Sequence, residues 1–444
     1  MSHWSRAATF YHLYPLGALG APERNVESQV VPRLERLHDW LPELKALGVT
    51  ALYVGPLFES TAHGYDTVDY YHVDRRLGTR ETLSRFCEAA RAHGMRIVLD
   101  AVFNHVGRDF WAFRDVLAHG AASPYASWFH LDFRRRSPQG DPFFYEGWNG
   151  HYDLVKLNTH HPAVREHLFG AVTMWMETFG IDGLRLDAAD VLDKDFQAAL
   201  AAHCRRQRPD FWLLGEVIHG DYRHWANTGM LDSVTNYELY KGLYSSHNDK
   251  NYFEVAHSLN RQFGPGGLYR DLSLYTFADN HDVDRVASRL RNPAHLYPLY
   301  TLMFTVPGVP SIYYGSEWGL HGAKTGHSDA PLRPAFDPRD GARLAPHPDL
   351  PAAIARLSRI RKDHAALQHG SYQPLHVASE QFAFLRESPD ERLVIAVNAS
   401  DRPADLALPV LASGAWTDLL NRESVPPGST VTLPPTWGRI LRSA

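Results

Sequence analysis

Short apolar runs recur along the chain at intervals that suit buried strands. The runs are rich in Val, Leu, Ile, Phe and Tyr, and glycine, proline or charged residues bound them, as expected for strands in a buried parallel sheet. They predict eight strands, at residues 8–16, 51–56, 96–102, 183–187, 211–217, 231–236, 272–278 and 311–315.

Between these strands, apolar residues recur at the three- and four-residue spacing of an amphipathic helix. The spacing predicts helices over 162–179, where Pro162 suits the first turn and Gly180 the end, and over 352–369. Strands that alternate with helices eight times predict a parallel sheet closed into a (β/α)₈ barrel. An open doubly wound sheet is the alternative, but no GxGxxG sequence follows the first strand.

Two stretches depart from the alternation of strands and helices. The connection after the third strand, residues 104–157, is long, rich in aromatic residues and without clear helical periodicity. We expect it to form a small inserted lobe over the mouth of that strand. From residue 371 the pattern changes to short strands with turn residues between them, which predicts an antiparallel β-sandwich over 371–444. Residues 1–103 and 158–370 are then assigned to the barrel.

Composition narrows the class of protein. The 444 residues are 44% hydrophobic and 21% charged, and the net charge of −5 offers no basic surface for nucleic acid or an anionic membrane. No apolar run is long enough to span a bilayer, and the first residues lack the pattern of a secretory signal. Two cysteines fit a reducing compartment better than a disulfide framework. We therefore expect a cytoplasmic protein, and its oligomeric state remains open.

Four of the predicted strands end in a carboxylate: Asp100, Asp187, Glu216 and Asp282. Because the carboxyl ends of barrel strands surround one bowl, we expect these groups to meet. Glycoside hydrolysis requires two carboxyl groups about the scissile bond, one as a proton donor and one as a nucleophile. Arg185 faces the same side of its strand as Asp187 and would keep that carboxylate ionised. Glu216 follows a strand rich in Phe, Trp and Leu, which favours a raised pKa and an acid role.

Six segments resemble the α-amylase family, glycoside hydrolase family 13, over essentially the whole chain. DAVFNH (100–105), GLRLDAAD (183–190), GEVIH (215–219) and FADNHD (277–282) are similar to its four defining regions, in order. GVPSIYYGSE (308–317) and LKALGVTALYVGPLFES (44–60) resemble its last-strand and second-strand motifs.

The resemblance implies roles for individual residues. It implies that Asp187 is the nucleophile, Glu216 the acid/base, and Asp282 the third carboxylate, which grips sugar hydroxyls and favours substrate distortion. It further implies a set of residues that bind or support the substrate. In that set Tyr65 stacks on the sugar that is cleaved, His105, Arg185 and His281 bind its hydroxyls, Asp329 and Arg333 contact the next sugar, and Asp100 and Asn104 support the site from behind.

Within the family, HGYDTVDYY and GEVIH are most similar to the neopullulanase and cyclomaltodextrinase group, although the barrel begins by about residue 8, without that group's N-terminal β-domain. The resemblance implies a retaining hydrolase of α-1,4-glucosidic bonds in maltooligosaccharides or cyclodextrins, with a covalent glucosyl-enzyme intermediate. The alternatives are an α-glucan transglycosylase or trehalose-synthase-like isomerase with the same three acids, and an α-glucosidase of short oligosaccharides. A non-catalytic binding relative is disfavoured because all three carboxylates remain.

No cofactor and no required metal are expected. Secreted α-amylases that bind calcium typically carry Lys and a calcium-coordinating His at the positions of Asp190 and Val191, and a valine side chain cannot ligate a metal. The loop at residues 17–25, GALGAPERN, also lacks the acidic spacing of a calcium loop. Asn104 alone is a weak calcium signal, so calcium stays possible but lacks its expected ligands.

Overall fold

The barrel is built from eight parallel strands. The computed structural model describes residues 3–26, 28–326, 328–344, 346–412, 414–428 and 430–443. Strands neighbouring in sequence pair with one another, strand 8 pairs with strands 1 and 7, and a bridge from Thr235 to Tyr275 joins strand 6 to strand 7. The predicted (β/α)₈ barrel is therefore confirmed. Barrel strands 1 to 8 are Phe10–Leu13, Ala51–Val54, Arg96–Ala101, Gly183–Leu186, Trp212–Gly215, Ser233–Val234, Tyr275–Phe277 and Val309–Tyr313.

Helices cover the outside of the barrel through their apolar faces. The helix predicted over 162–179 has those bounds, with Pro162 in its first turn and Gly180 left-handed just beyond its end. The helix predicted over 352–369 is two helices, because the backbone of His364 is extended between them. The longer helices are Arg80–Ala92, Pro162–Phe179, Lys194–Gln207, Tyr237–Asn248, Tyr252–Phe263, Leu296–Thr305 and Leu350–Asp363, with shorter ones at Leu41–Leu47, Pro338–Leu344 and Ala365–His369.

The inserted segment, residues 104–157, contains a small antiparallel sheet. Strand His151–Lys156 lies at its centre and pairs with His105–Gly107 on one side and Gly147–Trp148 on the other. A separate pair joins Leu131–Asp132 to Phe144–Tyr145. The segment also holds a helix, Trp111–His119, which the sequence pattern did not predict because nine residues give too few turns for a clear period.

The C-terminal part of the chain is an antiparallel β structure, as predicted. A six-stranded sheet and a two-stranded sheet enclose one apolar cluster that includes Leu385, Val394, Leu406, Trp416 and Leu433. The sequence pattern predicts five of its strands, at QFAFLRE, RLVIAVN, ADLALP, TVTL and GRILR, and the structure adds three at the two ends of the large sheet. The strands are Ser371–Val377, Gln381–Ser388, Glu391–Asn398, Ala404–Ala407, Trp416–Asp418, Glu423–Val425, Thr430–Leu433 and Trp437–Ser443, and the first, fifth and sixth are the unpredicted ones.

Two expectations from composition concern thiols and membranes. Cys87 and Cys204 are buried in helices and form no disulfide with each other. Among the residues that the structure describes, no helix is both long and apolar enough to cross a bilayer.

Candidate active site

Arg185 is the centre of the group of acids at the carboxyl end of the barrel. It lies on barrel strand 4 directly opposite Asp100 of strand 3. Its Nη1 is 2.9 Å from Asp100 Oδ1 and 2.9 Å from Asp187 Oδ1, and its Nη2 is 2.8 Å from Glu216 Oε2. One buried guanidinium therefore holds three carboxyl groups within reach of one another, as the strand-tip argument predicted.

Asp187 and Glu216 stand one residue beyond the ends of strands 4 and 5. The backbone N–H of Asp187 donates to the carbonyl oxygen of Ala101 on strand 3, and that of Glu216 donates to the carbonyl oxygen of Leu186 on strand 4. Each acid is therefore held by a backbone hydrogen bond to the preceding barrel strand. Ala188 has a left-handed φ of 48°, and its N–H donates to Glu216 Oε2 at 3.0 Å. A left-handed backbone is uncommon for alanine and costs free energy. Here this conformation points the N–H of Ala188 toward the Glu216 carboxyl group.

Burial raises the pKa of both Asp187 and Glu216. The guanidinium of Arg185 opposes this rise, but it is shared among three carboxyl groups, and Asp282 adds further negative charge. A raised pKa suits Glu216 as a proton donor, whereas Asp187 must be ionised to act as a nucleophile, and Arg185 is the cation that favours its ionised form.

Asp282 is kept ionised by its contacts with His281 and Arg333. Burial opposes its ionisation, but His281 and Arg333 outweigh burial and hold the pKa of Asp282 well below its ordinary value. The Nε2 of His281 is 2.9 Å from Asp282 Oδ2, and Nη2 of Arg333 is 2.9 Å from Asp282 Oδ1. Arg333 also lies 3.2 Å from Asp329 Oδ2. The pair Asp329 and Arg333 thus reaches the site through Asp282.

Tyr65 and Asp100 complete the floor of the site. The hydroxyl of Tyr65 donates to Asp100 Oδ2 at 2.9 Å and also contacts Nε2 of His281. The rings of Tyr65 and His281 are stacked, with centroids 5.3 Å apart and planes 10° apart. Asp100 is fully buried under these groups, which agrees with a supporting position rather than direct contact with a ligand.

His105 presents a free donor beside Asp187. Burial lowers the pKa of His105 to about 3, so the imidazole is neutral at physiological pH. Because Nδ2 of Asn104 can only donate, it makes Nδ1 of His105 the acceptor, at 3.2 Å, and leaves the ring proton on Nε2. That Nε2 is 3.8 Å from Asp187 Oδ2 and has no hydrogen-bond partner among the described residues. It is a buried donor next to Asp187, without a partner in the part of the chain that the structure describes.

Three site residues escaped the sequence analysis: His12, Tyr53 and Tyr237. Tyr53 donates to Asp100 Oδ2 at 2.8 Å, and its ring stacks on His12 at 4.1 Å between centroids. Tyr237 begins the helix after strand 6, and its hydroxyl accepts from Asn280 at 3.1 Å. Isolated polar residues within the apolar runs FYHL and ALYV were the available signal for His12 and Tyr53. No local signal marks Tyr237.

The expectation that no metal is required concerns the side chains at Asn104 and Val191. Within the described ranges, no group of three or more His, Cys, Asp or Glu side chains is arranged to hold an ion. Val191 is exposed, and the side chain of Asn104 is bonded to His105.

A closed (β/α)₈ barrel with buried carboxyl groups gathered at its carboxyl end fits the class of glycoside hydrolases. The family described as "Alpha amylase, catalytic domain" matches residues 33–343, and the "Maltogenic Amylase, C-terminal domain" matches residues 372–440. The chain belongs to the α-amylase family, and the membership inferred from its motifs is confirmed.

Relatives of established name are similar over most of the chain. A cyclomaltodextrinase from a Bacillus species is 32% identical over 89% of this chain and 73% of its own length. Neopullulanase 2 from Thermoactinomyces vulgaris is 31% identical over 99% of this chain and 78% of its own. The ligand-free structure of cyclic α-maltosyl-(1→6)-maltose hydrolase from Arthrobacter globiformis has a TM-score of 0.83 at 26% identity, with 100% of both chains covered.

Proposed function

We propose that this protein hydrolyses α-1,4-glucosidic bonds of maltooligosaccharides and cyclodextrins, with retention of anomeric configuration. The observation that carries the proposal is the gathering of Asp100, Asp187 and Glu216 on Arg185, with Asp282 beside them. The names cyclomaltodextrinase and neopullulanase among the relatives support the class of substrate.

In the first step Glu216 donates its proton to the glycosidic oxygen as the bond from that oxygen to C1 breaks. Both donors to Glu216 lie on Oε2, so we place the transferable proton on Oε1. Asp187 forms an ester bond to C1 through Oδ2, because Arg185 occupies Oδ1. In the second step Glu216 takes a proton from water, the water oxygen bonds to C1, and Asp187 is released.

The remaining groups bind and orient the sugar. Nε2–H of neutral His105 donates to a hydroxyl beside the reacting carbon, and ionised Asp282 accepts from hydroxyls on the opposite rim. Arg333 and Asp329 extend this polar rim toward the next sugar. Charge-assisted hydrogen bonds of this kind strengthen as charge develops on the sugar, and so they lower the barrier.

The test is a product analysis with a panel of substrates: maltose to maltoheptaose, three cyclodextrins, pullulan, isomaltose and sucrose. We expect shorter maltooligosaccharides, with the α-anomer released first. Asp187→Asn and Glu216→Gln should each remove activity. A first-formed β-anomer would refute retention, and full activity of Asp187→Asn would refute its role. Products longer than the substrate would favour the transglycosylase alternative.

A second candidate substrate is cyclic α-maltosyl-(1→6)-maltose. The specific observation is that the hydrolase named for this compound matches the present chain over the whole of both lengths. Adding this cyclic tetrasaccharide to the panel separates the candidates, because preference for it over maltotetraose and cyclodextrins would make it the substrate.

We also propose that activity requires no metal ion and takes place in the cytoplasm. The valine at position 191, whose side chain cannot ligate a metal, supports the first point, and the relative named intracellular maltogenic amylase from Bacillus subtilis supports the second. Hydrolysis should continue after dialysis against a chelator, and loss of activity that calcium restores would contradict the proposal.

A further inference from the structure

Trp148 is held on a tight hairpin of the inserted segment. Strand Gly147–Trp148 pairs with His151–Lys156, and the two residues between them, Asn149 and Gly150, have left-handed φ values of 47° and 81°. A two-residue turn with both φ angles positive fits the twist of the flanking strands and fixes the hairpin tip. The indole stacks on His151, with ring centroids 5.6 Å apart and planes 22° apart.

The hairpin brings this indole to the edge of the acid cluster. The ring of Trp148 lies 5.8 Å from the ring of His105, tilted by 42°. His105 in turn places Nε2 at 3.8 Å from Asp187 Oδ2. The indole is therefore one ring beyond the imidazole that borders the proposed nucleophile. It is half-buried, so part of its surface is exposed to solvent.

Trp148 has fewer aromatic packing partners than Trp111, another tryptophan of the inserted segment. Trp111 is 37% exposed, but its ring contacts Phe110, Tyr125, Trp128 and His167, with centroids between 4.9 and 5.6 Å. The ring contacts of Trp148 are with two histidines, and its indole N–H donates to no described residue. A large aromatic ring with a free face and a free donor fits a ligand better than a core.

We propose that Trp148 is a stacking platform for a second glucosyl unit, next to the unit that His105 binds, and so determines preference for oligosaccharides over single glucosyl groups. This inference rests on the proposed function. The apolar face of a pyranose packs on an indole, while the indole N–H can donate to a sugar hydroxyl. The rigid turn keeps the platform in place before the ligand arrives, which limits the entropy lost on binding.

The test measures binding rather than turnover. In the Glu216→Gln background, Trp148→Ala and Trp148→Phe are compared by calorimetric titration with glucose, maltose and maltotetraose. We expect Trp148→Ala to raise the Kd for maltotetraose about tenfold while the Kd for glucose stays unchanged. The phenylalanine variant should lie between, because it keeps a smaller ring.

Trp111→Ala is the matched control, since it removes an equally large ring from the same segment away from His105. It should leave every Kd unchanged. An unchanged Kd for maltotetraose in Trp148→Ala would overturn the platform and leave the proposed function standing. If the Glu216→Gln parent binds no maltooligosaccharide, the proposed function itself fails, and the platform fails with it.

Discussion

At the scale of single residues, the raised pKa of Glu216 predicts how kcat/KM depends on pH. Burial raises the pKa of Glu216, so it keeps its proton above the ordinary carboxyl value of about 4.3. kcat/KM should therefore fall on the alkaline side as Glu216 ionises. We expect Glu216→Gln to lower kcat/KM by roughly 10³ and to remove this alkaline limb, because an amide does not titrate. A pH series from 4 to 9 measures both.

A substrate with a strongly acidic leaving group serves as the control for this variant. Such a leaving group departs without protonation, so the first step should recover in Glu216→Gln but not in Asp187→Asn. An alkaline limb that persists in Glu216→Gln would assign the titrating proton to another group.

Substitution of Arg333 tests the acid limb of the pH profile, where activity falls as Asp282 is protonated. It helps to hold the pKa of Asp282 well below its ordinary value, so Asp282 is ionised at all moderately acidic pH. In Arg333→Met that pKa should rise, and protonation should begin at higher pH. Activity would then be lost earlier as the pH falls, which a pH profile of kcat/KM detects. Lys324→Met is the control, because Lys324 lies 3.2 Å from Asp329 Oδ1 in the same rim. Acid limbs that superimpose for Arg333→Met and the unsubstituted protein would contradict this role for Arg333.

Sequence reasoning brought Asp100, Asp187 and Glu216 together because the ends of barrel strands meet at one face. It also assigned Asp187 as the nucleophile, kept ionised by Arg185, and Glu216 as the acid. The structure does not separate the two in this way, since both contact Arg185 and burial raises the pKa of each. Tyr237 was missed because its approach depends on how a helix starts after strand 6, and sequence spacing does not encode that position.

At the scale of elements, the eight barrel strands were predictable because each is a short apolar run buried on both faces. The strand Ser371–Val377 was not, because Pro374 interrupts the alternation and the register shifts between Pro374 and His376. The helical period continued through His364, but that residue contacts Glu391 of the C-terminal sheet and its backbone is extended. Pairing and contacts within the folded chain, which the periodicity of the sequence does not report, determine both the strand Ser371–Val377 and the break at His364.

Two glycines give a prediction about how elements fit together. A Cβ on Gly107, in the strand His105–Gly107, would lie 2.5 Å from the backbone carbonyl oxygen of Asp66. Gly107→Ala must therefore displace either the strand His105–Gly107 or the loop that carries Tyr65 and Asp66, and both border the site. We expect a loss of about 1–3 kcal/mol in the free energy of unfolding and a fall in kcat/KM. Urea denaturation and initial rates measure the two effects.

Gly242→Ala is the matched substitution. Gly242 lies inside the helix Tyr237–Asn248, and a Cβ there would be 3.6 Å from Val255 of the next helix, an ordinary contact distance. Alanine favours a helix over glycine, so stability should rise by up to about 1 kcal/mol with unchanged activity. Equal effects of the two substitutions would contradict the argument from close approach.

At the scale of the whole molecule, two buried arginines lie near each other where the barrel meets the C-terminal sheet, and Arg386 joins the two parts. Arg361, on the helix Leu350–Asp363, donates to Leu367 at 2.8 Å and to Phe304, near the end of the helix Leu296–Thr305. Arg386, on the strand Gln381–Ser388, donates to Thr305 of the same helix end. No carboxylate pairs with either guanidinium in the part of the chain that the structure describes, so both satisfy carbonyl groups. The negative end of a helix dipole favours such cations.

This junction predicts that the barrel and the C-terminal sheet unfold together. Besides the buried carbonyl group of Thr305, Arg386 donates to the partly buried carbonyl groups of Ser371 at 3.1 Å and Gly370 at 3.0 Å, so Arg386→Met removes three hydrogen bonds. A buried carbonyl group left without a donor costs about 1–3 kcal/mol, so we expect a loss of about that size and one lowered transition in calorimetry. Arg442→Met, an exposed position in the same sheet, should change stability by less than about 0.5 kcal/mol. A variant Arg386→Met whose sheet melts separately while the barrel keeps its midpoint would show that the two parts are independent.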